Sequence, residues 1–387
     1  MPKVTVVVPV CNVERYLPDA LGSVLRQTLS DMEIICVNDG STDGSLSILK
    51  NFAARDGRIR IIDKVNAGYG AALNDAFDAA QGDYLTVLDA DDILPQDACR
   101  EMYEFCEAEQ LDFMKADDEL FIGDATRLDD PAHHVDEVIK ASPVRACYTS
   151  VFNPSLDPGR YVGKAGLPVM IKTSFLRDHG IRLHESPGAS FQDTGLYTLT
   201  LVAATRVRYL DKVTYYIRRD NPESSEKDTR KVYTLCDEYA WIHERVDEMQ
   251  LDHVDRAQAG VSLLQFIGYE WNLTRIAPSC IQAFLERFAE DFRTLDAAGQ
   301  LDRELFTPEE LARLEDVMAK PEVVYWRDWA HREEIACRDR RIAELEGECR
   351  ELRAKVDEVY ASRSYRLGNA LGLPVRAVRA IKQGRSA

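Results

Sequence analysis

No run of apolar residues in this chain of 387 approaches the roughly 20 that a membrane span requires. Nine cysteines are scattered without a CxxC pair, which argues against a disulfide framework or a zinc site and for reduced thiols. The seven histidines show no HExxH or HxH spacing, and His133-His134 sits in a polar, acidic loop-like segment. No GxGxxG follows the first apolar run, which removes the main signature of a dinucleotide-binding oxidoreductase. Positive charge is in deficit: 48 Lys and Arg against 66 Asp and Glu leave a formal charge of −18. That balance argues against nucleic-acid binding, which needs a basic face. The chain opens directly on Val4-Thr5-Val6-Val7-Val8, without a basic stretch and cleavage site. The expectation is a soluble, cytoplasmic protein.

What is present is strand–helix alternation. Val4 to Pro9 reads as a buried strand, and Tyr16 to Gln27 as a helix with Leu17, Leu21, Val24 and Leu25 on one face. Glu33 to Val37 is a second strand, ending in the turn Asn38 to Ser45, whose Ser and Asp residues can cap a helix starting near Ser45. Ile59 to Asp63 is a third strand. The loop Asn66-Ala67-Gly68-Tyr69-Gly70 leads into a helix over Ala71 to Ala80, and Gly82-Asp83 turns into a strand from Tyr84 to Leu88. This βαβαβαβ order predicts a Rossmann-like α/β fold with a mostly parallel sheet, whose ligands bind beyond the carboxyl ends of the strands. Asp39, Asn66 and Asp89 all fall just past such ends. Residues 125 to 165 read as loop and short elements. Beyond them come a strand over Val169 to Lys172, helices near Ser174 to His179 and Thr194 to Ala204, and strands Val207 to Tyr209 and Val213 to Arg218. Residues 229 to 325 read as helical, with Trp241, Phe266, Trp271, Phe284 and Phe288 as core anchors.

The chemistry concentrates in GDYLTVLDADD, where an apolar strand ends in Asp89, Asp91 and Asp92. Carboxylates packed this closely repel one another unless a cation sits between them. A divalent metal carrying a phosphate-bearing substrate suits the place, and a solvated acidic turn is the plain structural alternative.

Five motifs together resemble inverting glycosyltransferases of family 2, bacterial GT-A-fold enzymes that use nucleotide-sugars. They are Val7-Val8-Pro9-Val10-Cys11-Asn12, Asn38-Asp39-Gly40-Ser41-Thr42-Asp43, Asn66-x-Gly68, Leu88-Asp89-Ala90-Asp91-Asp92 and Gln192-Asp193, spread over residues 1 to 225. The stretches His184 to Asp193 and Arg218 to Ser225 look like the branch that builds exopolysaccharide or cell-wall glycans. The resemblance implies transfer of a sugar from a nucleotide-sugar, UDP-linked by expectation, to a hydroxyl of a glycan or lipid-linked acceptor. It implies Mn²⁺ or Mg²⁺ on Asp91, with Asp89 holding the ribose or orienting the metal and Asp92 supporting them. A bound cation of this kind stabilises the departing diphosphate. Asp39 would read the base, and Pro9, Asn12 and Asn66 would line the nucleotide. Arg218 or Arg219 would clamp the diphosphate, and Asp193 would be the general base that takes the acceptor's proton. Asp193 as a helix cap and Asp39 as a helix cap are the structural alternatives. Three departures stand out. Cys11 occupies a place where many relatives stack an aromatic on the base. The loop GYGAALN lacks an arginine before Asn74. Gln192 replaces a commoner Glu, leaving proton acceptance to Asp193 alone.

Four regions are expected: the GT-A domain over 1–225, a helical domain over 226–330, a coiled coil over 331–361 and a basic tail over 362–387. Ile335, Arg338, Ile342, Leu345, Cys349, Leu352, Val356 and Val359 follow heptad steps, as in a coiled coil that would form a homodimer. A single amphipathic helix is the alternative. The tail from Tyr360 carries six basic residues and no acidic one, which suits an anionic membrane surface at the inner face of the cell membrane. The competing functional reading is an inactive GT-A scaffold that dimerises and recruits partners. The intact Asp89, Asp91 and Asp193 speak against it.

Overall fold

The valine-rich run Val4–Val10 forms β1, and its burial on both faces places it in the interior of the sheet. The computed structural model describes residues 1–123, 166–189, 191–224 and 228–361. Met1–Pro321 forms one compact unit and Glu322–Ala387 a second. In the first unit, β1 joins β2 (Met32–Asp39), β3 (Ile59–Lys64), β4 (Tyr84–Val87), β5 (Phe113–Phe121), β6 (Val169–Lys172) and β7 (Val207–Arg218). Their order across the sheet is β3-β2-β1-β4-β6-β5-β7. β6 alone among these runs antiparallel, against β4 on one side and β5 on the other. The parallel register sets Val10 beside Asn38 and Asp39 beside Lys64, so the ends of β1, β2 and β3 share one rim.

The helices α1 (Leu17–Leu25), α2 (Ser45–Ala53), α3 (Tyr69–Ala79), α4 (Ala98–Glu109), α5 (Thr173–Asp178) and α6 (Gln192–Ala203) follow the strands. Val4, Val6, Val8 and Val10 share a core with Leu17, Leu21 and Val24 of α1, Leu49 of α2, and Cys99, Met102 and Cys106 of α4. This alternation along β1 is the two-residue period of a strand covered by helices on each face. The two strand segments expected over 207–218 are one strand, β7, whose pairing with β5 jumps from Leu210 to Val213. The polar, exposed Asp211 and Lys212 bulge out between the halves.

The rest of this unit is helical: α7 (Thr234–Glu248), α8 (Val254–Arg275), α9 (Ile281–Ala297) and α10 (Pro308–Ala319). Phe284, Phe288 and Phe292 of α9 recur at four-residue steps and pack on Phe266 and Tyr269 of α8. Phe266, Phe284 and Phe288 are core residues as expected, whereas Trp271 is 37% exposed and lies outside that core. The aromatic positions of α9 face α8, and Trp271 falls on the other side of its own helix. Thr307 caps α10 through a capping box with Glu310. In the second unit, α11 is one helix over Pro321–Ala361, with Ile342, Leu345, Leu352 and Val356 exposed. No helix among the described residues is long and apolar enough to cross a membrane.

Candidate active site

The strand β4 stops where its ladder with β1 ends, and the chain turns through Asp89, Ala90, Asp91 and Asp92. Two tyrosines, Tyr69 half-buried and Tyr215 buried, hold Asp89: the Tyr69 hydroxyl donates to its Oδ1 at 3.0 Å, and the Tyr215 hydroxyl accepts from its backbone N–H at 2.9 Å. Asp91 Oδ2 accepts from Asn221 Nδ2 at 2.7 Å. Asp92 lies inside and accepts from the Arg218 backbone N–H at 2.7 Å. Burial pushes the Asp89 carboxyl up to about 7, and the charges of Asp91 and Asp193 add to it. Burial also raises Asp92, with Asp91 and Asp89 adding to the rise. The site therefore gathers Asp89, Asp91 and Asp193 from positions about a hundred residues apart in sequence.

Asp193 stands in the first turn of α6. The cap position belongs to Phe191, which has left-handed backbone (φ 67°) and makes no side-chain cap bond, so Asp193 is not the helix cap. The residue that seats it closely is Gly166: a Cβ there would come within 3.0 Å of Asp193 Oδ2. Gln192 Nε2 donates to Ser186 Oγ at 2.8 Å and to the Gly188 carbonyl at 3.1 Å, tying the segment before α6 to the helix start.

The loop 66–70 is the meeting point of the site. Asp39 turns both carboxylate oxygens onto it, accepting from the Ala67 and Gly68 N–H groups at 2.8 and 2.9 Å. Asn66 Nδ2 donates to the Asp39 carbonyl and to Cys11 Sγ. Asn12, at φ 52°, accepts from the Thr42 N–H at 2.8 Å and so joins the end of β1 to the turn after β2. Pro9 lies beside Val37, past the last pair of the β1–β4 ladder, where its missing N–H costs no bond on that side. Gly68 and Gly70 let the 184–188 segment come down onto this loop. A Cβ at Gly68 would meet the Ser186 carbonyl at 2.5 Å, and one at Gly70 would overlap the His184 carbonyl. Asn74 secures the same contact, donating to the Leu183 carbonyl and Glu185 Oε1 and accepting from the Leu183 N–H.

Arg218 is turned inward. Its guanidinium donates to the Asp91 and Gly123 carbonyls at 2.9 Å each and stacks on Tyr16 and Phe121. It thereby holds the Asp91 turn from behind. Three groups that sequence reasoning missed are Tyr69, Tyr215 and Glu238. Glu238 of α7 is 1% exposed; its Oε2 lies 3.0 Å from His184 Nδ1, and its Oε1 has no hydrogen-bond partner among the described residues. Burial, then the charge of Asp193, pushes this carboxyl up to about 8, while burial lowers His184. The pair is therefore a neutral hydrogen bond at pH 7 and not an ion pair. The His184 ring lies flat on Trp241, 5.0 Å between centroids. The signal for Glu238 was a carboxylate inside the apolar stripe Leu235, Tyr239, Ile242, Val246.

Among the described residues no group of three or more His, Cys, Asp or Glu side chains is arranged to hold a metal by itself. Asp89 and Asp91 nevertheless suit a shared cation, because two carboxylates sit close at the end of β4 and the charge of Asp91 raises the Asp89 carboxyl. Such a cation would take its remaining ligands from substrate and water.

The sequence profile described as Glycosyl transferase family 2 matches residues 5–117. This N-terminal segment belongs to glycosyltransferase family 2. The family 2 segment ends within β5, so it holds Asp39, Asn66, Asp89 and Asp91, whereas Asp193, Arg218 and Glu238 lie beyond it. Among curated relatives, the uncharacterized glycosyltransferase EpsJ of Bacillus subtilis is 42% identical over 114 residues, 30% of this chain and 33% of that protein. Glycosyltransferase GlyA of Streptococcus pneumoniae is 46% identical over 102 residues, 26% of this chain and 15% of that protein. The chain thus spans a third or less of the length of these relatives. Among solved structures, S. aureus TarS 1–349 superimposes with a TM-score of 0.60 at 16% identity, over 86% of this chain and 92% of that one. The same TarS fragment in complex with UDP-GlcNAc gives 0.60 at 15% identity. At that identity the likeness is one of fold, and the fold is GT-A.

Proposed function

We propose that this chain is an inverting, metal-dependent glycosyltransferase that moves a sugar from a nucleotide-sugar, UDP-linked, to a hydroxyl of a glycan or lipid-linked acceptor in surface polysaccharide synthesis. The observation that carries this reading is that the loop 66–70 joins the acidic end of β4 to the chain leading into Asp193: Tyr69 donates from its hydroxyl to Asp89 and from its backbone N–H to the Gly188 carbonyl, within a segment that matches family 2. TarS was solved with UDP-GlcNAc, which supports a UDP-linked donor.

In this reading Asp91, with Asp89, would hold Mn²⁺ or Mg²⁺, and the ion would supply positive charge to offset that growing on the departing diphosphate. The nucleotide lies along the ends of β1 to β3, over Pro9, Asn12, Asp39 and Asn66. Asp39 presents the loop 66–68 to it and can still accept from a base N–H through its remaining lone pairs. Arg218 acts by holding the Asp91 turn. Asp193 takes the acceptor hydroxyl's proton as that oxygen attacks the anomeric carbon from the face opposite the diphosphate. The paired tyrosines keep Asp89 fixed so that little reorganisation accompanies the charge shift. We further propose that α11 pairs with a second copy along Ile342, Leu345, Leu352 and Val356, and that the basic residues after 361, outside the described residues, meet an anionic membrane. Loss of a dimer on truncation at residue 330 would support the first.

The test is nucleotide release from UDP-, GDP- and dTDP-sugars with Mn²⁺, Mg²⁺ or EDTA, beside Asp91→Asn. Metal-dependent release from one donor, lost in the variant, supports the reading. Binding and release absent for every donor would leave the scaffold.

A further inference from the structure

We infer that the exposed indole of Trp271, set against Phe191, is a stacking platform for a pyranose ring of the acceptor glycan. The word acceptor rests on the transferase reading above; saccharide binding at this place does not.

Phe191 immediately precedes α6 and stands two residues before Asp193. Its backbone is left-handed (φ 67°), a conformation that a bulky residue adopts only when its surroundings hold it there. The surroundings are visible. The Arg275 guanidinium lies over the Phe191 ring at 4.7 Å and over the Trp271 ring at 5.4 Å, and it is itself fixed by bonds to the Asp228 and Lys231 carbonyls. The Phe191 and Trp271 rings meet edge to face, 5.6 Å apart. Lys231 reaches across to the Ala189 carbonyl, so the helical region grips the chain on the approach to Asp193.

This clamp could be built with the indole buried. Instead Trp271 keeps 37% of its surface in solvent, while the other aromatics of α8 are inside. An indole part-open to solvent, with a guanidinium against it on a rigid support, matches a sugar ring, whose C–H face is apolar and whose rim is hydroxyl. The two-residue step from Phe191 to Asp193 is at most about 7 Å of chain. A ring stacked on Trp271, whose own ring lies 5.6 Å from that of Phe191, is therefore placed within a sugar or two of Asp193.

The experiment titrates maltotriose, cellotriose, chitotriose and galactobiose into the full-length protein, followed by saturation-transfer NMR. It compares the wild type with Trp271→Phe and Trp271→Leu, the latter keeping apolar packing on Phe191 without the π face. The expected result is binding of at least one saccharide, weakened roughly tenfold in Trp271→Leu and largely kept in Trp271→Phe, the size of one aromatic contact. Equal binding by Trp271→Leu and wild type, or no binding to the wild type at tens of millimolar saccharide, overturns the inference. Saccharide binding that depends on Trp271, with nucleotide release from no donor, would leave the platform standing and remove the transferase reading.

Discussion

Replacing Glu238 by Gln should make the protein more stable at neutral pH, and by an amount that grows as pH rises. The carboxyl is 1% exposed and is pushed up to about 8 by burial and by Asp193. In the unfolded chain a glutamate ionises near 4.5. Between these two values the unfolded state releases a proton that the folded state retains. Folding stability therefore falls with rising pH, at about 1.4 kcal/mol per pH unit. From pH 5 to pH 7 the loss attributable to Glu238 is about 2.5 kcal/mol on this reasoning. Glutamine has nearly the same shape, cannot ionise, and can still pair with His184 across the 3.0 Å contact. Urea unfolding followed by circular dichroism at pH 5, 6, 7 and 8 would give the stability of both proteins. The difference between variant and wild type should widen by about 2.5 kcal/mol from pH 5 to 7 and level off above 8. Parallel curves would refute the reasoning, because they would mean that Glu238 ionises in the folded protein as it does in the unfolded chain.

Three further outcomes follow from the packing around the site. Gly70→Ala sets a Cβ into the His184 backbone carbonyl and should cost about 3 kcal/mol or more in thermal unfolding, while Gly57→Ala, with open space around it, should change little. Asn74→Ala strips partners from the buried N–H and carbonyl of Leu183 and should cost about 2–4 kcal/mol in denaturant titration; a loss under 1 kcal/mol would mean that water replaces them. Asp193→Asn should slow sugar transfer by about 10² to 10⁴-fold with donor binding retained, and an unchanged rate would remove it as the base.

The α/β order, the strand ends and the acidic rim were legible because they depend on local patterns: the two-residue period of strands, glycine-punctuated loops, and carboxylates after an apolar run. What was not legible depends on distant pairings. The antiparallel β6 reads as an ordinary short strand, since direction in a sheet leaves no mark on four residues. Arg218 resembles a surface cation until the carbonyls of Asp91 and Gly123 are seen to surround it. Trp271 reads as a core residue by type, and only the aromatic face shared by α8 and α9 shows that it lies outside the core. Tyr69 and Tyr215 carry no signal of their own; they matter because β4 ends between them.

The close approach of Gly70 to His184 has a consequence for how such a protein assembles. The segment shared with relatives, residues 5–117, carries the acidic rim but not the chain that closes over it. That chain arrives from more than a hundred residues downstream, so the site is completed late in folding, after loop closures that are costly in entropy. A fragment ending at β5 would contain most of the recognisable motif and no finished cleft. A change before residue 117 acts on the acidic rim itself, whereas the downstream chain reaches that rim only where it can lay a backbone carbonyl against a glycine.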